Sequence, residues 1–115
     1  MAHPQIDSFE DFWPYYVRAH RKPANRALHV VGSLAALGMV AGAVLTARPS
    51  LLLLAPVVGY GPAWFGHFVI EGNRPATFGH AAYSLRGDAR MLWLSLQGKM
   101  AAEVERCEGL SRASA

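Results

Sequence analysis

The sequence predicts an all-α fold: a small membrane helical bundle with a two-helix transmembrane hairpin flanked by amphipathic helices. Three observations predict it. Of 115 residues, 52% are hydrophobic and only 17% charged, well to the apolar side of an ordinary soluble domain. The charges are missing from two stretches, 21 residues between Arg26 and Arg48 and 22 between Arg48 and Glu71. At ~1.5 Å rise per residue, a helix of about 20 residues covers the roughly 30 Å hydrocarbon core of a bilayer. A chain of this length would struggle to bury two such helices on all sides. Third, Phe9, Phe12, Trp13, Tyr16 and Val17 recur at three- and four-residue spacing, the signature of an amphipathic helix. The length suits one domain spanning 1–115. The composition speaks against a disordered chain or a nucleic-acid-binding tail, because the net charge of +3 belongs to the two ends rather than to a basic body.

The first helix is expected over Asp7 to Arg21. Asp7 or Ser8 can cap it, and Glu10 and Asp11 lie in its first turn, where the helix dipole favours them. Trp13, Tyr15 and Tyr16 suit either a membrane interface or an aromatic core. Pro23 is expected to stop this helix, and Asn25 to cap a long apolar helix from Arg26 to Thr46. Gly38 and Gly42, extended backwards by Ala35, form a small-residue face that allows close approach of a neighbour, including a second copy in a homo-oligomer.

Arg48-Pro49-Ser50 reads as the turn of the hairpin. The second apolar segment opens at Leu51 and meets Pro56, Gly59, Gly61, Pro62 and Gly66, so it is expected to be kinked or partly unwound. Glu71 to Pro75 reads as a polar loop, Ala76 to Ser84 as a short helix or interfacial segment, and Gly87 to Glu108 as a last helix. The first apolar run begins too late and runs too long for a cleavable signal peptide. The single cysteine, Cys107, permits no internal disulfide. Four cations precede the hairpin, one sits in its turn and six follow it. The positive-inside rule therefore places both termini in the cytoplasm, of a bacterium or facing the endoplasmic reticulum.

The chemistry concentrates in the histidines. His29 and His67 lie 19 positions before and after Arg48, so antiparallel helices bring them to one depth at the cytoplasmic boundary. His20 and His80 flank the hairpin and can fold back over the same mouth, whereas His3 lies apart at the start of the chain. Glu71 stands four residues after His67, on the same helical face. Imidazoles with or without a carboxylate suit iron, zinc, copper or nickel, and the lack of a thiolate cluster removes zinc-finger and iron–sulfur readings. Tyr60, Asn25, Asn73 and the cations Lys22 and Arg74 surround this mouth, where they could orient imidazoles or hold a carboxylate.

Phe9 to Tyr16 leading to His20, then Asn25-Arg26-Ala27-Leu28-His29-Val30-Val31-Gly32, resembles the opening motif of the 2-hydroxy fatty acid dioxygenase family. Gly59-Tyr60-Gly61, Trp64, Gly66-His67-Phe68, Glu71, Asn73-Arg74-Pro75-Ala76-Thr77 and Gly87-Asp88 resemble its second half, so the likeness covers residues 8–92. In that family an Fe(II)-dependent membrane enzyme shortens 2-hydroxy fatty acids by one carbon during degradation of the phytosphingosine long-chain base. The resemblance implies Fe(2+) as cofactor at His20, His29, His67 and His80, with a 2-hydroxy fatty acid, O2 and membrane lipid as partners. Glu71 is expected to serve catalysis, either as a ligand or, preferably, as the acceptor that orients an imidazole.

The reaction R-CHOH-COOH + O2 → R-COOH + CO2 + H2O closes with all four electrons from the substrate. It requires no 2-oxoglutarate, flavin or nicotinamide, and no Gly-rich phosphate fingerprint occurs in the chain. Two other readings of the same residues stand beside it. One is a small membrane interaction protein without catalysis, and the other a zinc-dependent membrane hydrolase with Glu71 as base.

Overall fold

The two charge-free stretches fold into antiparallel helical segments. A computed structural model describes residues 6–114, with side chains through Leu110, so His3 lies outside the described residues. Helix α1 spans Phe9–Arg18, α2 Pro23–Leu45, α3 Leu51–Phe65, α4 Ala81–Leu96 and α5 Met100–Ser114. A π-helical turn, Gly66–Glu71, continues α3, and a 3-10 turn, Ala76–Phe78, precedes α4.

Together α3 and its π-helical extension form a continuous segment of 21 residues, beside the 23 of α2, and both are long and apolar enough to cross a membrane. Their apolar faces point outward: Val31, Leu37, Val44, Leu45, Leu53 and Val57 are 57–84% exposed. A two-helix apolar surface of this kind suits association with a bilayer.

The two helix backbones come close at Gly32, where a Cβ would stand 2.7 Å from the carbonyl oxygen of Gly59. The Gly38/Gly42 face does not mediate this packing. A Cβ on Gly38 would meet nothing within 4 Å, and one on Gly42 would meet only Leu51 Cδ1 at 3.5 Å.

At the end of the hairpin where α2 begins and α3 ends, α1, α4 and α5 form a cap with its own apolar core. Phe12, Trp13, Tyr16 and Val17 of α1 pack with Met91 of α4 and with Met100, Val104 and Cys107 of α5. The aromatic residues of α1 thus serve as core rather than as an interfacial belt. Ser8 caps α1 by accepting the Asp11 N–H at 3.2 Å, and the Trp13 indole N–H donates to Glu103 at 2.8 Å, tying α1 to α5. The long axis measures 52 Å, against the roughly 30 Å hydrocarbon core of a bilayer.

Several boundaries differ from the sequence reading. The first helix ends at Arg18, and Pro23, expected to be its stop, instead opens α2 at a position where a missing N–H costs nothing. Asn25, expected as a cap, is therefore buried inside α2. Pro56 and Pro62 lie within α3 without unwinding it, and the irregularity falls after them, in the π-helical turn. The expected last helix is two helices, broken where Gly98 takes a left-handed backbone with φ 71°.

The Gly32 contact yields a direct test. Gly32→Val drives a Cβ into backbone that cannot yield, so it should lower stability by about 1–3 kcal/mol. Gly38→Val should leave unfolding unchanged. Denaturant unfolding in mild detergent, followed by helical circular dichroism, measures both.

Candidate metal centre

Three imidazoles meet in the seam between hairpin and cap. His20 comes from the connection after α1, His29 from the second turn of α2 and His67 from the π-helical turn, and all three are at most 5% exposed. Their ring centroids lie 4.3 to 4.9 Å apart, with the rings nearly perpendicular at 79° to 89°. One ring nitrogen from each lies within 4.8 Å of the others.

The Nδ1 atoms decide which nitrogen that is. His20 Nδ1 stands 2.6 Å from the Tyr16 carbonyl oxygen, His29 Nδ1 3.0 Å from the Asn25 carbonyl oxygen and His67 Nδ1 2.6 Å from Asn73 Oδ1. Each partner can only accept, so each Nδ1 carries the hydrogen and each Nε2 is left as a lone pair. Burial, reinforced by the charges His29 and His67 would carry, holds His20 well below the usual imidazole range, so its ring is neutral. The Nε2 atoms of His20 and His29 then face each other at 3.0 Å as two acceptors, which is repulsive unless a cation lies between them. Neutral imidazoles with Nδ1–H fixed by an acceptor are the donor set that binds transition metals, so these three residues could hold one.

Local backbone chemistry aims the rings. His20 and His29 each reach back four residues to a carbonyl, the direction in which helical side chains lean. His67 is served differently. Gly72 turns the chain at φ 72°, a left-handed conformation that glycine adopts without strain, and brings Asn73 back beneath the π-helical turn. The Asn73 N–H donates to the His67 carbonyl at 2.9 Å. Its side-chain amide donates to the Ala19 carbonyl at 3.0 Å, which turns Oδ1 toward His67.

The other predicted site residues are distributed around this centre. His80 is not brought into the cluster and lies against the rings of Phe12, Tyr15 and Tyr83. Glu71 accepts the backbone N–H of Lys22, the residue just before α2, and so straps the end of the π-helical turn to the start of that helix. The Lys22 ammonium donates to the Ile70 carbonyl at 2.9 Å. Arg74 is exposed, with its guanidinium 4.9 Å from the centre of the Phe78 ring.

Tyr60 lines a small cavity of about 10 Å3 beside the histidines, room for about one water. Sequence reasoning gives no place in the site to three further residues around it. Trp64 and Asp88 both line the cavity, and the Trp64 indole N–H is buried with no partner among the described residues. Tyr16 stacks on His20 with ring centroids 4.1 Å apart and donates its hydroxyl to Asp88. Burial pushes the Asp88 carboxyl up to about 6, with the Tyr16 hydrogen bond opposing the rise. The only signal for these residues is their position in the motifs that carry the resemblance.

Residues 6–100 match the family model described as 2-hydroxy-palmitic acid dioxygenase Mpo1-like. The chain belongs to this family. The three clustered histidines, Asn73, Trp64 and Asp88 all fall within the matched span. No curated protein and no solved structure matches the chain.

The tie from Asn73 to His67 can be measured alone. Asn73→Ala removes the acceptor that fixes the His67 ring and should weaken metal binding about 10–100-fold. Asn73→Asp retains the acceptor and should bind nearer the parent level. Competition of the purified protein against a calibrated chelator gives the affinities.

Proposed function

We propose that this chain is a ferrous-iron-dependent dioxygenase that cleaves 2-hydroxy fatty acids at the membrane boundary, giving the acid one carbon shorter and CO2. The observation that carries the reading is the convergence of three Nε2 lone pairs in a buried pocket of a chain from this family. When bound there, iron supplies the open positions at which an α-hydroxy acid and O2 can meet.

The remaining work falls to the chain's own groups. The hydrogen bonds at Nδ1 keep His20, His29 and His67 from turning away. The Trp64 indole N–H is a donor in want of an acceptor, and it suits an oxygen of the substrate's carboxylate or hydroxyl. Asp88, held by the Tyr16 hydroxyl at the cavity wall, is positioned to take the C2 hydroxyl proton as the C1–C2 bond breaks. Tyr60 lines the cavity on the hairpin side.

Glu71 acts as a positioning residue through Lys22 and the π-helical turn. Lys22 and Arg74, both exposed, draw the anionic head group to the mouth, while buried Asn25 supports His29 through its carbonyl. His80 remains a candidate for a fourth imidazole. The hairpin turn carries one cation against ten on the cap side, and by the positive-inside rule we read both termini as cytoplasmic.

Protein purified anaerobically in mild detergent should hold about one iron per chain, in the role of a metal that opens coordination sites to substrate. Supplied with 2-hydroxyhexadecanoate, it should consume O2 and release CO2 and pentadecanoate in equal amounts. Bound zinc with hydrolytic activity, or no metal at all, contradicts the proposal. His20→Ala, His29→Ala and His67→Ala should each abolish iron occupancy, and retained iron in any of them removes that residue from the ligand set. His80→Ala decides whether a fourth imidazole is needed.

Glu71→Ala should weaken iron binding about 10–100-fold whereas Glu71→Gln, which can still accept from Lys22, should stay near the parent. Complete loss in both would make Glu71 a ligand. A cysteine placed at Ser50 should react with an impermeant thiol reagent from the extracytoplasmic side. Reaction only after permeabilisation reverses the topology.

A further inference from the structure

An apolar groove of about 310 Å3 runs between α2, α3 and α4 on the membrane side of the histidine pocket. Ala36 and Val40 line it from α2, Leu52 and Ala55 from α3. Its polar lining groups, Tyr60 and Asp88, are confined to one end, and both also line the histidine cavity. The groove therefore begins where the metal pocket stops. It lies on the two segments that are apolar enough to cross a membrane, and Val40 and Leu52 are 41% and 47% exposed at its outer reach.

We propose that this groove is the acyl slot of the enzyme, holding the tail of the 2-hydroxy acid with its head group beyond Tyr60 and Asp88. The assignment rests on the dioxygenase reading of the histidine site and adds where the rest of the substrate lies. From Leu52 to Tyr60 the slot follows α3 for roughly 12 Å at 1.5 Å per residue, the length of about ten extended methylenes. A longer tail leaves the slot at Val40 and Leu52 and continues into the bilayer.

A tail drawn from lipid gains little from a second apolar environment, so the slot contributes orientation rather than affinity. It lays the first methylenes along α3 and thereby fixes which carbons reach the metal pocket. Misplacement of reacting atoms by about 1 Å can cost roughly a hundredfold in rate, which is the scale on which such a slot acts.

Ala55→Phe and Val40→Trp fill the slot without touching the histidines. Each should lower kcat/KM for 2-hydroxyhexadecanoate about 10–100-fold while leaving iron content and turnover of 2-hydroxybutanoate, too short to use the slot, at parent levels. Unchanged long-chain turnover, or an equal fall for both acids, overturns the assignment. A binding readout on the unmodified protein decides the matter should either variant fail to fold.

A 2-hydroxyhexadecanoate probe with a mid-chain diazirine, photolysed with the protein in detergent, should label Val40, Leu52 or Ala55. Unmodified 2-hydroxyhexadecanoate should compete that label away. Labelling that spreads equally over the outward Leu45 and Leu53 and resists competition shows ordinary lipid in the groove, and overturns the slot. Iron-loaded parent protein that turns over neither acid defeats the dioxygenase reading instead, while competed labelling confined to the groove still supports a tail-binding slot.

Discussion

Two ring nitrogens 3.0 Å apart, both left as lone pairs by the hydrogen bonds behind them, repel each other unless a positive charge lies between. The rest of the structure can be understood as what holds that arrangement in place. A free imidazole would escape by rotating or by moving its proton to the other nitrogen. Here each escape costs a buried hydrogen bond, because Tyr16, Asn25 and Asn73 offer only acceptors to the Nδ1 positions. Burial adds to this for His20, whose protonated form would lose its hydration next to two more imidazoles. The pocket is preorganised for a cation by the placement of acceptors around it, with no acidic residue among the three clustered side chains.

Four segments must be in register for this to happen: the end of α1, the start of α2, the π-helical turn and the loop carrying Asn73. The Asn73 amide ties its loop to the Ala19 carbonyl at the end of α1, and two further contacts join the hairpin segments. The close approach at Gly32 sets the separation of α2 and α3, and the strap from Glu71 to the Lys22 N–H closes the ring at the cap end. The cap contributes through Tyr16, which stacks on His20, lends it a carbonyl and reaches Asp88 with its hydroxyl. A single residue of the α1 core thus touches the cap core, a clustered histidine and Asp88. Long α2 and α3 make no such demand over their outer halves, where their apolar faces simply face outward.

Much of this is legible in the sequence, and the reasons differ by residue. The helical hairpin follows from charge and hydropathy, which are local and survive any packing. The meeting of His29 and His67 follows from the hairpin's symmetry about Arg48, because antiparallel helices with equal rise place equal counts at equal depth. Proximity to the hairpin groups His80 with them, yet the 3-10 turn and the start of α4 bring its ring against those of Phe12, Tyr15 and Tyr83, outside the three-histidine group. Its position depends on the path of a loop, which spacing does not reveal. Spacing puts Asn73 at the mouth, but its bond to His67 depends on the π-helical turn and the left-handed Gly72. Asp88 and Trp64 are marked in the sequence only by the motifs they sit in, since their inward direction is set by the packing of α4 and α3.

The position of the centre between two unlike surroundings bears on the chemistry proposed for it. On one side, a polar cleft lined by Arg18, Arg21, Lys22, Glu71, Asn73 and Glu108 opens beside His67 through Asn73. On the other, the apolar groove opens beside Asp88 and Tyr60. A 2-hydroxy acid is divided in the same way, with two adjacent oxygen-bearing carbons at one end and a hydrocarbon chain at the other. The proposed cleavage between C1 and C2 would leave the chain-bearing product on the lipid side, while CO2 and water, small and soluble in either phase, could leave through the polar side. In the proposed reaction the new carboxylate sits on what was C2, one carbon nearer the groove, so the product presents its carboxylate at the original depth only after its tail moves along the groove by one carbon. The division that would orient the substrate would thus leave the new carboxylate displaced from the depth at which the substrate's oxygens were held.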